Sequence, residues 1–116
     1  MTIERRHSSA RMSQIVATDT TVYLAGVVAG ETKGGSVADQ TREILATIDG
    51  YLAEVGSDKS KILQVQIWLS DMATFGEMNE IWDAWVHPDH KPARACVEAS
   101  LAAPDWKVEI MVTAAR

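Results

Sequence analysis

The stretch Pro92-Ala93-Arg94-Ala95-Cys96-Val97-Glu98-Ala99-Ser100-Leu101-Ala102-Ala103-Pro104-Asp105-Trp106-Lys107-Val108-Glu109-Ile110-Met111-Val112-Thr113-Ala114-Ala115-Arg116 contains two strand-like runs. In the first, Ala93, Ala95 and Val97 alternate with Arg94, Cys96 and Glu98. In the second, Val108, Ile110, Val112 and Ala114 alternate with Lys107, Glu109, Met111 and Thr113. Successive side chains of a strand leave on opposite faces, so each run has one apolar and one mixed face. Assigning the apolar faces to the core puts Arg94, Cys96 and Glu109 on the far side. A guanidinium and a carboxylate on rigid strands there make a candidate small-molecule site. The plain alternative is a pair of solvated charges on a one-sided sheet. The small neighbours Ala93 and Ala95 leave room around Arg94, whose planar fork suits two-pronged capture of a carboxylate.

Upstream, residues 13–18 and 21–29 are two β-rich runs around Asp19-Thr20 and read as a hairpin. Gly26 inside the second run suggests a bulge or a close approach by another backbone or a ligand; an ordinary strand glycine is the alternative. The loop at residues 30–35 lacks the glycine spacing and the Lys-Ser/Thr pair of a phosphate-binding loop. Residues 36–55 read as a helix. Ser36 is a good N-cap, Asp39 stands where a capping-box acid would, and Gly56 stands where a helix ends. Its stripe of Val37, Ile44, Leu45, Ile48, Leu52 and Val55 belongs to the core. Residues 60–70 form a further strand, with Leu63, Val65, Ile67 and Leu69 facing one way and Gln64, Gln66 and Trp68 the other. Asp71 then caps a second helix that packs through Phe75, Met78, Ile81, Trp82, Trp85 and Val86 and stops at Pro88. His87, His90 and Lys91 form a polar turn. Two histidines without a suitably spaced third ligand are no basis for a metal site. The first twelve residues, with Arg5, Arg6, His7 and Arg11, read as a loosely held arm.

The resulting order of strands and helices predicts a single α+β domain over residues 1–116, both helices on one face of the sheet. The other face, expected to carry Arg94, Cys96, Trp68, Met111 and Glu109, is too apolar to be left to water, which suggests burial by another subunit. The chain has 116 residues, 47% of them hydrophobic, enough for one compact core. A net charge of -5 without a basic stripe argues against nucleic acid as the main partner. The single Cys excludes an internal disulfide and a thiolate metal cluster, and fits a reducing cytoplasm. No apolar leader or bilayer-length run is present.

The segment Pro92-Ala93-Arg94-Ala95-Cys96-Val97-Glu98, followed by Val108-Glu109-Ile110, resembles the signature of the YjgF-type reactive-intermediate deaminases, the Rid proteins. Weaker likeness extends over nearly the whole chain, at Ala25-Gly26, at Gly56 and at Leu69-Ser70-Asp71-Met72. The resemblance implies a chorismate-mutase-like fold and a homotrimer with clefts between subunits. It also implies cofactor-independent hydrolysis of 2-imino and enamino acids to 2-keto acids and ammonia. By the same resemblance Arg94 clamps the substrate carboxylate, Cys96 contributes mainly backbone contacts, and Glu109 positions or activates water. Gly26 and Trp68 complete the expected substrate-binding set. An imine carbon is already electrophilic, so orientation plus one water-positioning carboxylate suits the chemistry without a metal. The sequence departs from the family pattern where a common tyrosine falls near Met12 and a serine at Ala25, so neither hydroxyl is present. Rival readings are a carboxylate-binding module without turnover, a deaminase of another enamine-type metabolite from pyrimidine or aromatic-ring breakdown, and an RNA-directed or translation-inhibiting role. The acidic charge and the absent basic patch count against the last.

Two placements of the site compete. Local pairing of Ala95 with Val108 gives a hairpin with Arg94 opposite Glu109, a surface ion pair worth at most about 1 kcal/mol. The resembled fold instead inserts the last strand between the N-terminal hairpin and the Trp68 strand, with the Arg94 strand at the sheet edge. Arg94 then faces Glu109 of a neighbouring subunit.

Overall fold

The computed structural model describes residues 1–116. Six strands and two helices follow in the order β1 (Glu4–Ser8), β2 (Ser13–Ala17), β3 (Thr21–Leu24), α1 (Val37–Glu54), β4 (Ile62–Leu69), α2 (Phe75–Trp85), β5 (Ala93–Glu98) and β6 (Val108–Ala115). The sheet order is β1-β2-β3-β6-β4-β5. Only β4 and β5 run parallel, and α2 supplies the crossover that parallel neighbours need. The β5–β6 hairpin does not form: β6 lies between β3 and β4, and β5 is an edge strand. Both helices cover one face, as the α+β reading expects.

Local chemistry explains α1. The Ser36 side chain accepts from the Asp39 amide at 3.1 Å, while the Asp39 carboxylate turns away to Arg42. At the other end Gly56 takes φ 76°, and its amide bonds to the Ala53 carbonyl while that of Ser57 bonds to Leu52. Those two bonds close a Schellman motif, which needs a left-handed residue where Gly56 stands. Between the caps Val37, Ile44, Leu45, Ile48 and Leu52 are buried against Ile15, Val22, Ile67, Ile110 and Val112 of the sheet. Full burial of each large aliphatic contributes about 1.5–3 kcal/mol. Gln40, wholly buried in the same helix, donates to the carbonyls of Gly35 and Asp105 and accepts from the Lys107 amide. That staple holds the β5–β6 connection against α1.

Three expectations are corrected. Residues 1–12 are not simply a loose arm: β1 pairs with β2 from Glu4↔Ala17 to Ser8↔Ser13. Ionic contacts add to the ladder, Glu4 taking Arg6 at 2.6 Å and Arg116 at 2.7 Å, with His7 Nε2 at 2.8 Å from Glu54. Leu63 does not join the core. The register slips between Ile62↔Ala114 and Gln64↔Thr113, so Leu63 is the extra residue of a bulge and stands 54% exposed, and Ile62 is buried in its place. Finally, Arg94 and Cys96 are not on the helix-free face. Paired residues share a face, and Arg94 pairs with buried Val65 and Cys96 with buried Ile67. At this edge Ala93, Ala95 and Val97 are the exposed parity.

Candidate functional site

Glu109 lies on β6, beside Trp68 of β4 and on the helix-free face. What gives it room is the opposite neighbour. Tyr23 pairs with Thr113 and Val27 with Ile110, so four steps along the first strand match three along the second. The additional residue is a bulge at Ala25-Gly26, one of the readings that a glycine in a strand allows. A Cβ built on Gly26 would stand 2.1 Å from Glu109 Oε2. The carboxylate therefore occupies the volume that any other residue at this position would fill. Burial raises the pKa of Glu109, and no hydrogen bond or cation of its own chain offsets that. A half-buried carboxylate without a partner is disposed to take a proton from water.

Arg94 is held quite differently. Its Nη1 donates to Asn79 Oδ1 of α2 at 2.8 Å. Its guanidinium carbon lies 5.3 Å from the Trp82 ring centre and 5.8 Å from that of Phe75. The ion pairs of the chain join Glu4, Arg6, His7, Asp39, Arg42, Glu54 and Arg116, and none includes Arg94. The result is a cation with a fixed orientation and no carboxylate to neutralise it. Cys96, two residues along the same face, packs partly against the core. Burial pushes its thiol up, and the charge of Arg94 offsets this only in part, so it is a poor nucleophile at neutral pH.

Trp68 lies between Glu109 and Val97 across the three strands. With Gln64, Gln66, Val97, Met111 and Thr113 it lines a shallow depression of about 400 Å³ on the helix-free face. The chain thus brings Gly26, Glu109 and Trp68 to one face and Arg94 and Cys96 to the other. It does not bring the two halves together. Asn79, Phe75 and Trp82 were outside the sequence-derived site; the available signal was a polar residue within the apolar row of the second helix. The His87 and His90 rings lie 4.7 Å apart, and no group of three His, Cys, Asp or Glu side chains is placed to hold a metal.

Residues 2–116 match the family described as endoribonuclease L-PSP. The chain is 46% identical over 114 residues to a RutC family protein of Haemophilus influenzae, covering 98% of each. It is 44% identical to the RutC family protein YoaB of Escherichia coli, covering 99% of each. Among solved structures it resembles NMB1025 of Neisseria meningitidis, a YjgF family member, with TM-score 0.96, 45% identity and coverage of 100% of this chain and 96% of that one. It also resembles YyfA of Yersinia pestis, of the Rid family, with TM-score 0.85 and 26% identity, covering 94% of this chain and 90% of that one. From its strand order and its C-terminal motif to these full-length matches, the chain belongs to the endoribonuclease L-PSP family, whose members also carry the names RutC, YjgF and Rid.

Proposed function

We propose that this protein hydrolyses 2-imino and enamino acids to 2-keto acids and ammonia, at clefts between the subunits of a homotrimer. Arg94 of one subunit holds the substrate carboxylate, and Glu109 of its neighbour acts on water. One observation carries the reading: Arg94 and Glu109 occupy opposite faces of one chain's sheet, and each lacks the partner that the other would supply. The exposed apolar side chains of the helix-free face, Tyr23, Val97 and Met111, support coverage by another copy.

The chemistry needs little else. Glu109 takes a proton from water as the oxygen adds to the imine carbon, giving a carbinolamine. That proton passes to nitrogen, the hydroxyl proton follows it by way of the same carboxylate, and the C–N bond breaks as ammonia leaves and the carbonyl forms. An enamino acid reaches the same imine by taking a proton at carbon. Binding the carboxylate at Arg94 fixes the electrophilic carbon relative to the water, so orientation contributes to the acceleration. The family description names an endoribonuclease, but a net charge of -5 counts against a phosphate-binding surface on this chain. No helix is long and apolar enough to cross a membrane.

The test couples an amino-acid oxidase to semicarbazide, which traps the released imine as a semicarbazone. Adding this protein should lower the trapped yield in proportion to its concentration, and Arg94→Ala should not. An unchanged yield with folded wild-type protein would reduce the site to a carboxylate-binding one.

A further inference from the structure

The side chains around Arg94 hold its guanidinium without neutralising it. Phe75, Asn79 and Trp82 lie four and three residues apart on α2, so they share one side of the helix. Together they present ring, amide and ring to a single guanidinium. An aromatic face attracts a cation but leaves it charged. The Asn79 amide accepts one N–H of the five that an arginine offers. The helix is otherwise acidic, carrying Glu77, Glu80 and Asp83, yet none of these pairs with Arg94. A neutral acceptor stands at a place where a carboxylate would have closed an internal ion pair.

We propose that Asn79 is a positioning and specificity residue. It fixes the Arg94 fork through one N–H while leaving its charge for the ligand, so that 2-keto and 2-imino acids are taken in preference to their amides. This rests on the reading of Arg94 as a carboxylate clamp. The near-isosteric Asn79→Asp change supplies the missing internal carboxylate. The Asn79→Ala change removes the acceptor without adding charge.

Calorimetric or NMR titration with 2-ketobutyrate and with 2-ketobutyramide tests it on wild type, Asn79→Asp, Asn79→Ala and Arg94→Ala. Asn79→Asp should lower the preference for acid over amide about tenfold or more, equivalent to 1.4 kcal/mol. Asn79→Ala should lose acid affinity a few-fold, with amide binding unmoved. Equal loss of both ligands in the Asn79 variants, or no loss at all, would make Asn79 a merely structural contact and overturn the proposal while sparing the clamp. Undiminished acid binding by Arg94→Ala would overturn the clamp itself, and the proposal with it.

Discussion

Strands β6 and β5 carry the two halves of the proposed site and hold them by opposite means. β6 is an interior strand, hydrogen-bonded on both sides, and Glu109 owes its place to backbone: the bulge that leaves Gly26 without a side chain beneath it. β5 is an edge strand with one neighbour, and Arg94 owes its place to side chains of α2. The difference teaches that the halves should fail independently. The Glu109 half answers to changes in chain geometry, and the Arg94 half to changes in helix side chains.

The sharpest break is Gly26→Ala. The three atoms nearest its new Cβ all belong to the Glu109 side chain, Oε2 first, so the fold yields by displacing that carboxylate. The expected result is a loss of about a hundredfold in kcat/KM, the scale of an ångström-sized misplacement, with little change in melting temperature. In a Glu109→Ala background the same substitution should cost nothing further. Equal losses in both backgrounds would place the effect of Gly26 elsewhere.

Acid should loosen the Glu109 half more than the Arg94 half. Burial works to raise the pKa of Glu43, but the amides of Gly30, Thr32 and Glu31 and the Thr32 hydroxyl outweigh it and hold the group at about 2. Those donors belong to the segment that leaves the Gly26 bulge. A depressed carboxylate stabilises the fold above its unfolded value of 4.5 and loses that contribution as pH falls toward about 2. Discounted for solvent, the contribution is about 1 kcal/mol. Urea midpoints of wild type should fall across that window more steeply than those of Glu43→Gln. Parallel curves would deny Glu43 this role.

The smallest effect belongs to Cys96→Ser. The thiol sits beside Arg94 but is kept protonated by burial. Most activity should remain, and a loss beyond about a hundredfold, near 2.7 kcal/mol, would make the sulfur a participant.

The same contrast explains what could be read from residues alone. On β6 the alternation held, and Val108, Ile110, Val112 and Ala114 are all buried, because an interior strand must give one whole face to the core. The stripe and caps of α1 were legible for the same local reason. On β5 the rule inverted. Near the edge the layer under the helix is completed by the rings of α2, so it accommodates an arginine stem, while alanines and a valine are left outside. Strand β1 was illegible because Glu-Arg-Arg-His-Ser has no apolar period. Contacts distant in sequence, such as Arg116 to Glu4 and His7 to Glu54, help to hold it. Gln40 was equally silent, since two of its three partners, Asp105 and Lys107, lie far along the chain in the β5–β6 connection.

Whether the two halves meet between subunits can be measured by mixing. Arg94→Ala and Glu109→Ala should each be nearly inactive alone. When the two are mixed in equal amounts and allowed to exchange, with exchange verified by native mass spectrometry, every mixed ring of three head-to-tail interfaces regains one intact site. Activity should then recover to about a quarter of wild type. No recovery despite demonstrated exchange would show that Arg94 and Glu109 do not act across an interface.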